Sequence, residues 1–285
     1  MKTIQWFPGH MTKALRMMED NLKLVDGVVF VLDARAPFAC FNKRLSSLFN
    51  NKPVLYLVNK SDLITDGDRR AIAKFFDDRA MRYEFTVGTA QKDGKSVYNT
   101  VIDMFSQKIA CKAERGISIT LRFMVCGVPN TGKSTVINSL AGKKQAQTGD
   151  KAGVTKGKQW IKLDRLELLD TPGTMPPAFD NQIYAHHLAY IGAINDDILD
   201  FESLCLDFIE EISAIAPDAL CERYKIGLSE TPLENFDAIC RSRGYLIRGG
   251  ECDYTRCARA VMDDFRKGRL GKICLERQPV ENGER

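Results

Sequence analysis

The 285-residue sequence predicts an α/β fold: a buried, mostly parallel sheet with a phosphate-binding loop, followed by a smaller all-α domain. Three observations carry this. DGVVFVLDAR (26–35) and KPVLYLVNK (52–60) are near-continuous aliphatic and β-branched runs, the pattern of strands buried on both faces. LRFMVCGVPNTGKST (121–135) joins a third such run to G-x-x-x-x-G-K-S and then to a helix-forming stretch. Beyond Phe179 the strand-like runs stop and helical spacing takes over.

Composition sets the class. With 44% hydrophobic and 27% charged residues, the chain reads as globular and long enough for two cores. No apolar run approaches a membrane span, and no leader is expected before Trp6, so a cytoplasmic, membrane-free protein is expected. The nine cysteines include no C-x-x-C pair, which favours buried free thiols over disulfides or zinc. The net charge of +4 is distributed unevenly: Leu166 to Glu222 holds no Lys or Arg, whereas Arg241 to Arg277 holds ten basic and five acidic residues. Such a split suggests an oriented partner surface, although solvated helix faces give the same count.

In chain order, Pro8-Gly9 breaks the opening segment, and Met11, Leu15, Met18 and Leu22 then recur at helical steps. His10 therefore falls on a loop or at the helix start, where a lone histidine usually has no catalytic role. The first two strands follow, with Asn42 to Asn50 as the helical crossover between them. The second ends in Asn59-Lys60-Ser61-Asp62, at the carboxyl end where α/β sheets bind ligands. Beside a phosphate loop this N-K-x-D answers which base is bound. The Asp62 carboxylate can accept two hydrogen bonds from guanine N1–H and the 2-amino group, which adenine cannot offer. Asn59 would hold base and loop, and the Lys60 stem would cover the purine. Gly67 to Ala80 reads as a helix and Arg82 to Val87 as a strand. Gly88-Thr89-Ala90-Gln91 then forms a loop whose N–H groups at Thr89 and Ala90 would touch the guanine oxygen. Ser96 to Lys112 reads as a helix and Ala113 to Ser118 as a connector.

In the phosphate loop, Gly127 and Gly132 let the backbone wrap an anion with the helix N-terminus facing it. Asn130, Thr131, Gly132, Lys133, Ser134 and Thr135 would line the phosphates. Lys133 would reach the β- and γ-phosphates and the Ser134 hydroxyl would ligate Mg²⁺. Gln145 to Lys158 is too irregular for a stable element and carries Thr155, suited to a switch: hydroxyl to Mg²⁺, N–H to the γ-phosphate. Gln159 to Leu163 and Leu166 to Leu169 form a hairpin ending in Asp170-Thr171-Pro172-Gly173. There Asp170 would hold Mg²⁺ through water and the Gly173 N–H would sense the γ-phosphate.

These motifs resemble those of a GTPase in rotated order, with N-K-S-D and G-T-A-Q ahead of G-V-P-N-T-G-K-S-T, G-V-T and D-T-P-G. The fold class is thus a P-loop GTPase domain with circularly permuted motif order (1–177), followed by a C-terminal helical domain (178–285). Within that class the chain resembles the ribosome biogenesis GTPase A family, through QWFPGHMTKA, VLDARAP, NKSD, GVPNTGKST, LLDTPG and GGECDYTRCARAVMDDFRKGRLGKICLE. The resemblance implies GTP hydrolysis during maturation of the large (50S) ribosomal subunit, stimulated by that particle. It implies GTP/GDP, the subunit precursor and its rRNA as partners, and a helical domain that contacts rRNA.

The same resemblance puts His10 in the role of orienting the attacking water, and His10, Lys133 and Thr155 in the catalytic set. Asn130 matches an asparagine linked to K⁺ activation in some GTPases, though the same side chain can simply shape the loop. Two departures stand out: Thr174 follows D-T-P-G where an aliphatic residue is usual, and Ala152 replaces a proline before G-V-T. Thr174 is too short to orient water as a glutamine does. Helices are expected at Ala185 to Ile194, Ile198 to Ile215, Pro217 to Tyr224, Pro232 to Arg243 and Tyr254 to Lys267. Arg241, Arg243, Arg248, Arg256, Arg259, Arg266, Lys267, Arg269 and Lys272 on them could meet RNA phosphates. A free monomer is expected. The competing readings are a nucleotide-gated RNA- or protein-binding switch with negligible hydrolysis, and an ATP-using phosphotransferase, which N-K-S-D disfavours.

Overall fold

Each apolar run becomes a strand of one six-stranded sheet, ordered β3-β2-β1-β4-β6-β5, in the computed structural model. The structure describes residues 3–4, 9–41, 47–49, 52–142, 159–175, 179 and 181–280, with 9–15 and 91 by backbone alone. The strands are β1 (Gly27–Asp33), β2 (Val54–Asn59), β3 (Arg82–Phe85), β4 (Leu121–Cys126), β5 (Gln159–Lys162) and β6 (Leu166–Asp170). All pairings are parallel except that of β5, which runs antiparallel on the β6 edge. The side-chain period of two splits β1 between two cores. Val28, Phe30 and Leu32 pack with the N-terminal helix and the helical C-terminal part. Val29 and Val31 pack with Val97, Phe123 and Ile137 on the other face. Fully burying such a side chain is worth about 1.5–3 kcal/mol, so β1, buried at every position, anchors the sheet.

The chain lays β1, β2 and β3 outward to one side, returns to the centre with β4, and then builds outward on the other side. Adjacent β1 and β4 therefore form the switch point, and the loops leaving their carboxyl ends share one crevice.

The helix Gly9–Leu22 begins where Pro8-Gly9 breaks the chain, with His10 as its second residue. Where one helix is expected over 96–112, two form, Gln91–Asp103 and Ser106–Ala113. The chain leaves helical geometry at Phe105, whose ring packs edge-on against Phe123 at 5.4 Å. Of the crossover expected at 42–50, residues 42–46 and 50 lie outside the described residues, and 47–48 are helical. The loop 145–158 also lies outside them.

The C-terminal helices are Gln182–Tyr190, Phe201–Ile215, Pro217–Tyr224, Pro232–Ser242 and Tyr254–Arg266. Caps set their starts: Asn181, Asp200, Thr231 and Asp253 each accept a backbone N–H of the first turn. Asn181 thus starts the first of them three residues before the expected Ala185, and Gly192, at φ +76°, turns the chain out of it. Phe208 sits at the centre of this part, 5.1 Å from Tyr190 and 5.0 Å from Phe265.

After Arg266 the chain turns back onto the sheet part. Ile273 N–H donates to Leu63 O at 2.9 Å and Leu275 N–H to Arg35 O at 2.8 Å. No described helix is long and apolar enough to cross a membrane.

Candidate functional site

The phosphate loop leaves β4 at Gly127 and enters the helix Lys133–Ala141 through Gly132, which has φ +92°. Only glycine fits there: an added Cβ at Gly132 would stand 2.3 Å from Asn59 Nδ2, and one at Gly127 2.3 Å from Val31 O. Lys133 is buried and donates to Val128 O at 2.8 Å, an oxygen that also accepts the Thr131 hydroxyl at 3.1 Å. Ser134 and Thr135 follow on the first turn, half-buried. The D-T-P-G segment lies across the loop, with Gly173 against Pro129 and the Thr174 N–H donating to Gly127 O at 3.2 Å.

Asp170, at the end of β6, is buried, and its Oδ1 has no partner among the described residues. Burial pushes its carboxyl up to about 6 against the pull of Lys133. Burial likewise brings the Lys133 amine down to about 8 against the opposing pull of Asp170. A polyphosphate accompanied by a divalent cation supplies what both need, an anion for Lys133 and a cation for the orphaned Asp170 oxygen. The donor set of Asp170 and the Ser134 hydroxyl, hard oxygens on two sides of the loop, fits such a cation.

On the base side, Asn59 clamps two loops together. Its Nδ2 donates to Thr131 O at 2.8 Å, and its Oδ1 accepts the Thr86 hydroxyl at 3.1 Å. Lys60, left-handed at φ +59°, donates to Asn130 O at 2.6 Å and pairs with Asp33 at 2.8 Å. Asp62 stands exposed in the 3₁₀ turn Ser61–Leu63. Gly88 packs against the Asn59 amide, Thr89 is exposed, and Ala90 caps the helix Gln91–Asp103 while its carbonyl accepts the Ser139 hydroxyl at 3.0 Å. The structure thus gathers Asn59, Lys60, Thr131, Gly132 and Lys133 into one bonded unit, with Asp62, Thr89 and Ala90 on its rim.

Two residues central to this unit have no role in the motif reading: Asp33 and Arg35. Arg35 is buried and forks onto Asp33 through Nε (2.9 Å) and Nη2 (2.7 Å). Burial would raise the Asp33 pKa, but Arg35 and Lys60 beside it outweigh that and hold it well below the usual carboxylate range. Burial depresses the Lys60 pKa, with Asp33 opposing. Arg35 Nη1 continues to Phe265 O (3.0 Å) and Arg266 O (3.2 Å). Arg266 then donates to Ala189 O (2.8 Å) and Tyr190 O (3.0 Å) and pairs with Asp196 at 2.7 Å. The Asn130 amide, in the phosphate loop, donates to Gly192 O just beyond that helix. The contacts close a ring from the phosphate loop through the last helix and back. The signal for Asp33 and Arg35 was present as D-A-R in VLDARAP, but nothing local reveals that Asp33 also meets Lys60, or that further partners of Arg35 lie some 230 residues away.

The geometry gives one of the expected RNA-facing cations an internal role: Arg266 is engaged by Asp196 and two carbonyls. Lys267 and Arg269 also hold intramolecular pairs, with Asp263 and Asp264. A second buried cluster joins the two parts. His187 lies between Glu276 (2.7 Å) and Glu211 (2.8 Å), and the other Glu276 oxygen accepts the N–H groups of Phe38 (2.6 Å) and Ala39 (2.9 Å).

The His10 side chain, Ala152 and Thr155 lie outside the described residues. Thr174 is fully buried, its hydroxyl against Met18 Sδ at 3.9 Å, so the helix carrying His10 packs on the residue after D-T-P-G. Met18 lies eight residues, about 12 Å along a helix, from His10.

A parallel sheet whose carboxyl edge joins a phosphate loop, an N-K-x-D turn and a D-T-P-G segment defines a P-loop GTPase. Its strand order against sequence makes it a circularly permuted one. Comparison with known proteins agrees: a family model described as a 50S ribosome-binding GTPase matches residues 122–214. Ribosome biogenesis GTPase A of Bacillus cereus is 37% identical over 99% of this chain and 96% of its own length. The protein of the same name from Thermotoga maritima is 31% identical over 96% of this chain and 94% of its own. A GDP-bound structure of YlqF superposes with TM-score 0.68 at 26% identity, covering 93% of this chain and 100% of that one. A GNP-bound YlqF from T. maritima gives TM-score 0.64 at 28% identity, covering 93% and 97%. The chain belongs to the ribosome biogenesis GTPase A family. It is a GTPase of ribosome assembly, and its chemistry uses a divalent cation.

Proposed function

We propose that this GTPase hydrolyses Mg²⁺-bound GTP as a checkpoint on the large (50S) ribosomal subunit precursor, which stimulates its turnover, and that it contacts the rRNA of that particle. The observation that carries the reading is the bonding of Asn59 and Lys60 to the backbone of the phosphate loop. It makes base recognition and phosphate recognition one rigid unit. Asp62 reads guanine. Lys133 and the loop N–H groups from Asn130 to Thr135 hold the phosphates. Ser134, Asp170 and Thr155 would hold Mg²⁺, which would neutralise charge on the phosphates, and the Gly173 N–H would report the γ-phosphate. Water attacks the γ-phosphorus, the bond to the β–γ bridging oxygen breaks, and GDP and phosphate leave.

His10 orients that water, because Thr174 is short and turned towards Met18. The packing of the Gly9–Leu22 helix on Thr174 supports a histidine from that helix reaching the same crevice. Asn130 spends its amide on Gly192 O, which favours a loop-shaping role; turnover in K⁺ against Na⁺ tests an added cation site. The sheet part (1–177) is the G domain and 178–285 the rRNA-contacting domain, and the free protein is a cytoplasmic monomer.

The test is single-turnover hydrolysis with and without large ribosomal subunits. His10→Ala is expected to keep GTP affinity and lose most of the stimulated rate. Full stimulation of that variant would remove His10 from catalysis, and no stimulation of the native protein would reduce it to a nucleotide-gated switch. Asp62→Asn should shift preference from GTP to xanthosine triphosphate, since amide and carbonyl exchange hydrogen-bond roles. Unchanged guanine selectivity would take Asp62 out of the site.

A further inference from the structure

We infer that the groove between the helices Pro217–Tyr224 and Pro232–Ser242 and the Arg269–Gly271 turn is a preformed seat for the phosphodiester backbone of RNA. The inference rests on the rRNA-contacting role proposed above and says where on the helical domain that contact is made. The groove measures about 1010 Å³, and its wall carries Arg223, Lys225, Arg243 and Arg269 against a single acidic residue, Glu222.

The cations are held in place before any ligand arrives. Asp264, buried beneath the groove, accepts Arg223 through Nε (2.9 Å) and Nη2 (3.0 Å), the Tyr224 hydroxyl (3.1 Å) and Arg269 Nη1 (3.1 Å). Asp264 thus orders two guanidiniums, and Arg269 also reaches Asp263 (3.4 Å), which Lys267 shares, so two carboxylates face three cations. Arg243 lies over the Tyr224 ring at 5.2 Å and donates to Arg223 O at 2.6 Å, which fixes a third. Each guanidinium has five N–H donors, so all three keep several for a ligand. Lys225 ends its helix in the left-handed region at φ +57° and is exposed.

A plainer reading makes these arginines staples between helices. Staples need one cation per carboxylate, as with Arg266 and Asp196. Here Lys225 and Arg243 have no carboxylate partner among the described residues. A protein partner is disfavoured because the large apolar side chains of the wall, Tyr224 and Leu270, are themselves buried, and the small Ala219 beside them offers no pocket for an anchor. Ordered guanidinium forks with a lysine beside them match successive phosphates, and their ordering lowers the entropic cost of binding.

The experiment uses the full chain with a fluorescein-labelled RNA hairpin and, separately, purified large ribosomal subunits, titrated at graded KCl. The variants are Lys225→Gln/Arg243→Gln, which leaves Asp264 fully paired, and Lys225→Arg/Arg243→Lys, which keeps both charges. Arg79→Gln/Arg115→Gln, two exposed arginines of the sheet part, is the control. Losing two phosphate contacts should weaken binding about 10- to 100-fold and flatten the salt dependence of log K by roughly 1.4–1.8. GDP affinity should be unchanged, the charge-preserving pair should recover the salt slope and part of the affinity, since a lysine lacks the fork and the stacking of Arg243, and the control should bind normally. Native affinity and slope in the Gln/Gln variant, or an equal loss in the control, would overturn the groove while leaving the rRNA role standing. If the native protein binds neither probe, the rRNA role itself falls and the groove with it. Displacement of the hairpin by inorganic phosphate at equal phosphate concentration would make the groove a single-anion site and overturn the backbone assignment.

Discussion

At the residue scale the most consequential group outside the motifs is His187. Burial alone would lower its pKa, but its hydrogen bonds to Glu211 and Glu276 outweigh that and push it up to about 9. The histidine is therefore charged at neutral pH, a cation between carboxylates at the contact of the two parts, with Tyr190 packed beside it. A pKa raised on folding contributes stability that is complete below about 6.5, the unfolded value, and disappears as pH rises through about 9. Thermal melts should thus lose Tm between pH 7 and 10, and His187→Gln should remove that slope. Removing the cation leaves the buried Glu276 and the half-buried Glu211 uncompensated, which is expected to cost about 3 kcal/mol. An unchanged pH slope in the variant would assign the effect to another group.

At the scale of elements, Gly94 shows packing overriding propensity. It lies inside the helix Gln91–Asp103, where alanine would ordinarily add about 0.5–1 kcal/mol of helix stability. A Cβ there would stand 2.3 Å from Ser139 O, in the backbone of the helix that follows the phosphate loop. A backbone carbonyl cannot swing aside, so the two helices would have to separate. Gly94→Ala is expected to lower stability by about 1–3 kcal/mol, as overpacked cores do, and to weaken GDP binding in parallel. The pair of measurements is chemical denaturation and a nucleotide titration; a higher denaturation midpoint would show that the helices slide without cost. The phosphate loop, by contrast, was legible as a motif residue by residue: Gly127 and Gly132 stand where the fold admits only glycine, and Lys133 and Ser134 open the helix that follows. The break at Phe105 was not, since it answers a ring on β4 rather than any local breaker.

At the scale of the whole molecule, the tail after Leu270 straps the helical part onto the nucleotide site. Ile273 bonds Leu63, next to Asp62, and Leu275 bonds Arg35, while Glu276 takes His187 and the Pro37–Cys40 turn. Arg277 pairs with Asp68, itself the reciprocal cap of the helix Asp66–Asp77. Ending the chain at Leu270 should therefore lower Tm and raise the GDP Kd about tenfold, or about 1.4 kcal/mol. Unaltered GDP affinity in the shortened chain would mean that Arg35 and Leu63 keep their places without it.

The residue order settles on its own which segments are strands and where the G-x-x-x-x-G-K-S, N-K-x-D and D-T-P-G turns fall along the chain. Those properties rest on contiguous residues: burial on two faces needs an unbroken apolar run, and each ligand group needs particular atoms at short spacing. The tertiary structure alone decides who neutralises the buried charges. Asp33 and Arg35 meet Lys60, Phe265 and Arg266; His187 meets Glu211 and Glu276; Asp264 gathers Arg223 and Arg269. A carboxylate or guanidinium reads as a surface residue until its burial is known, because composition carries the charge but not the distance. Electrostatic energy in a low-dielectric interior depends on that distance, which only the folded chain supplies.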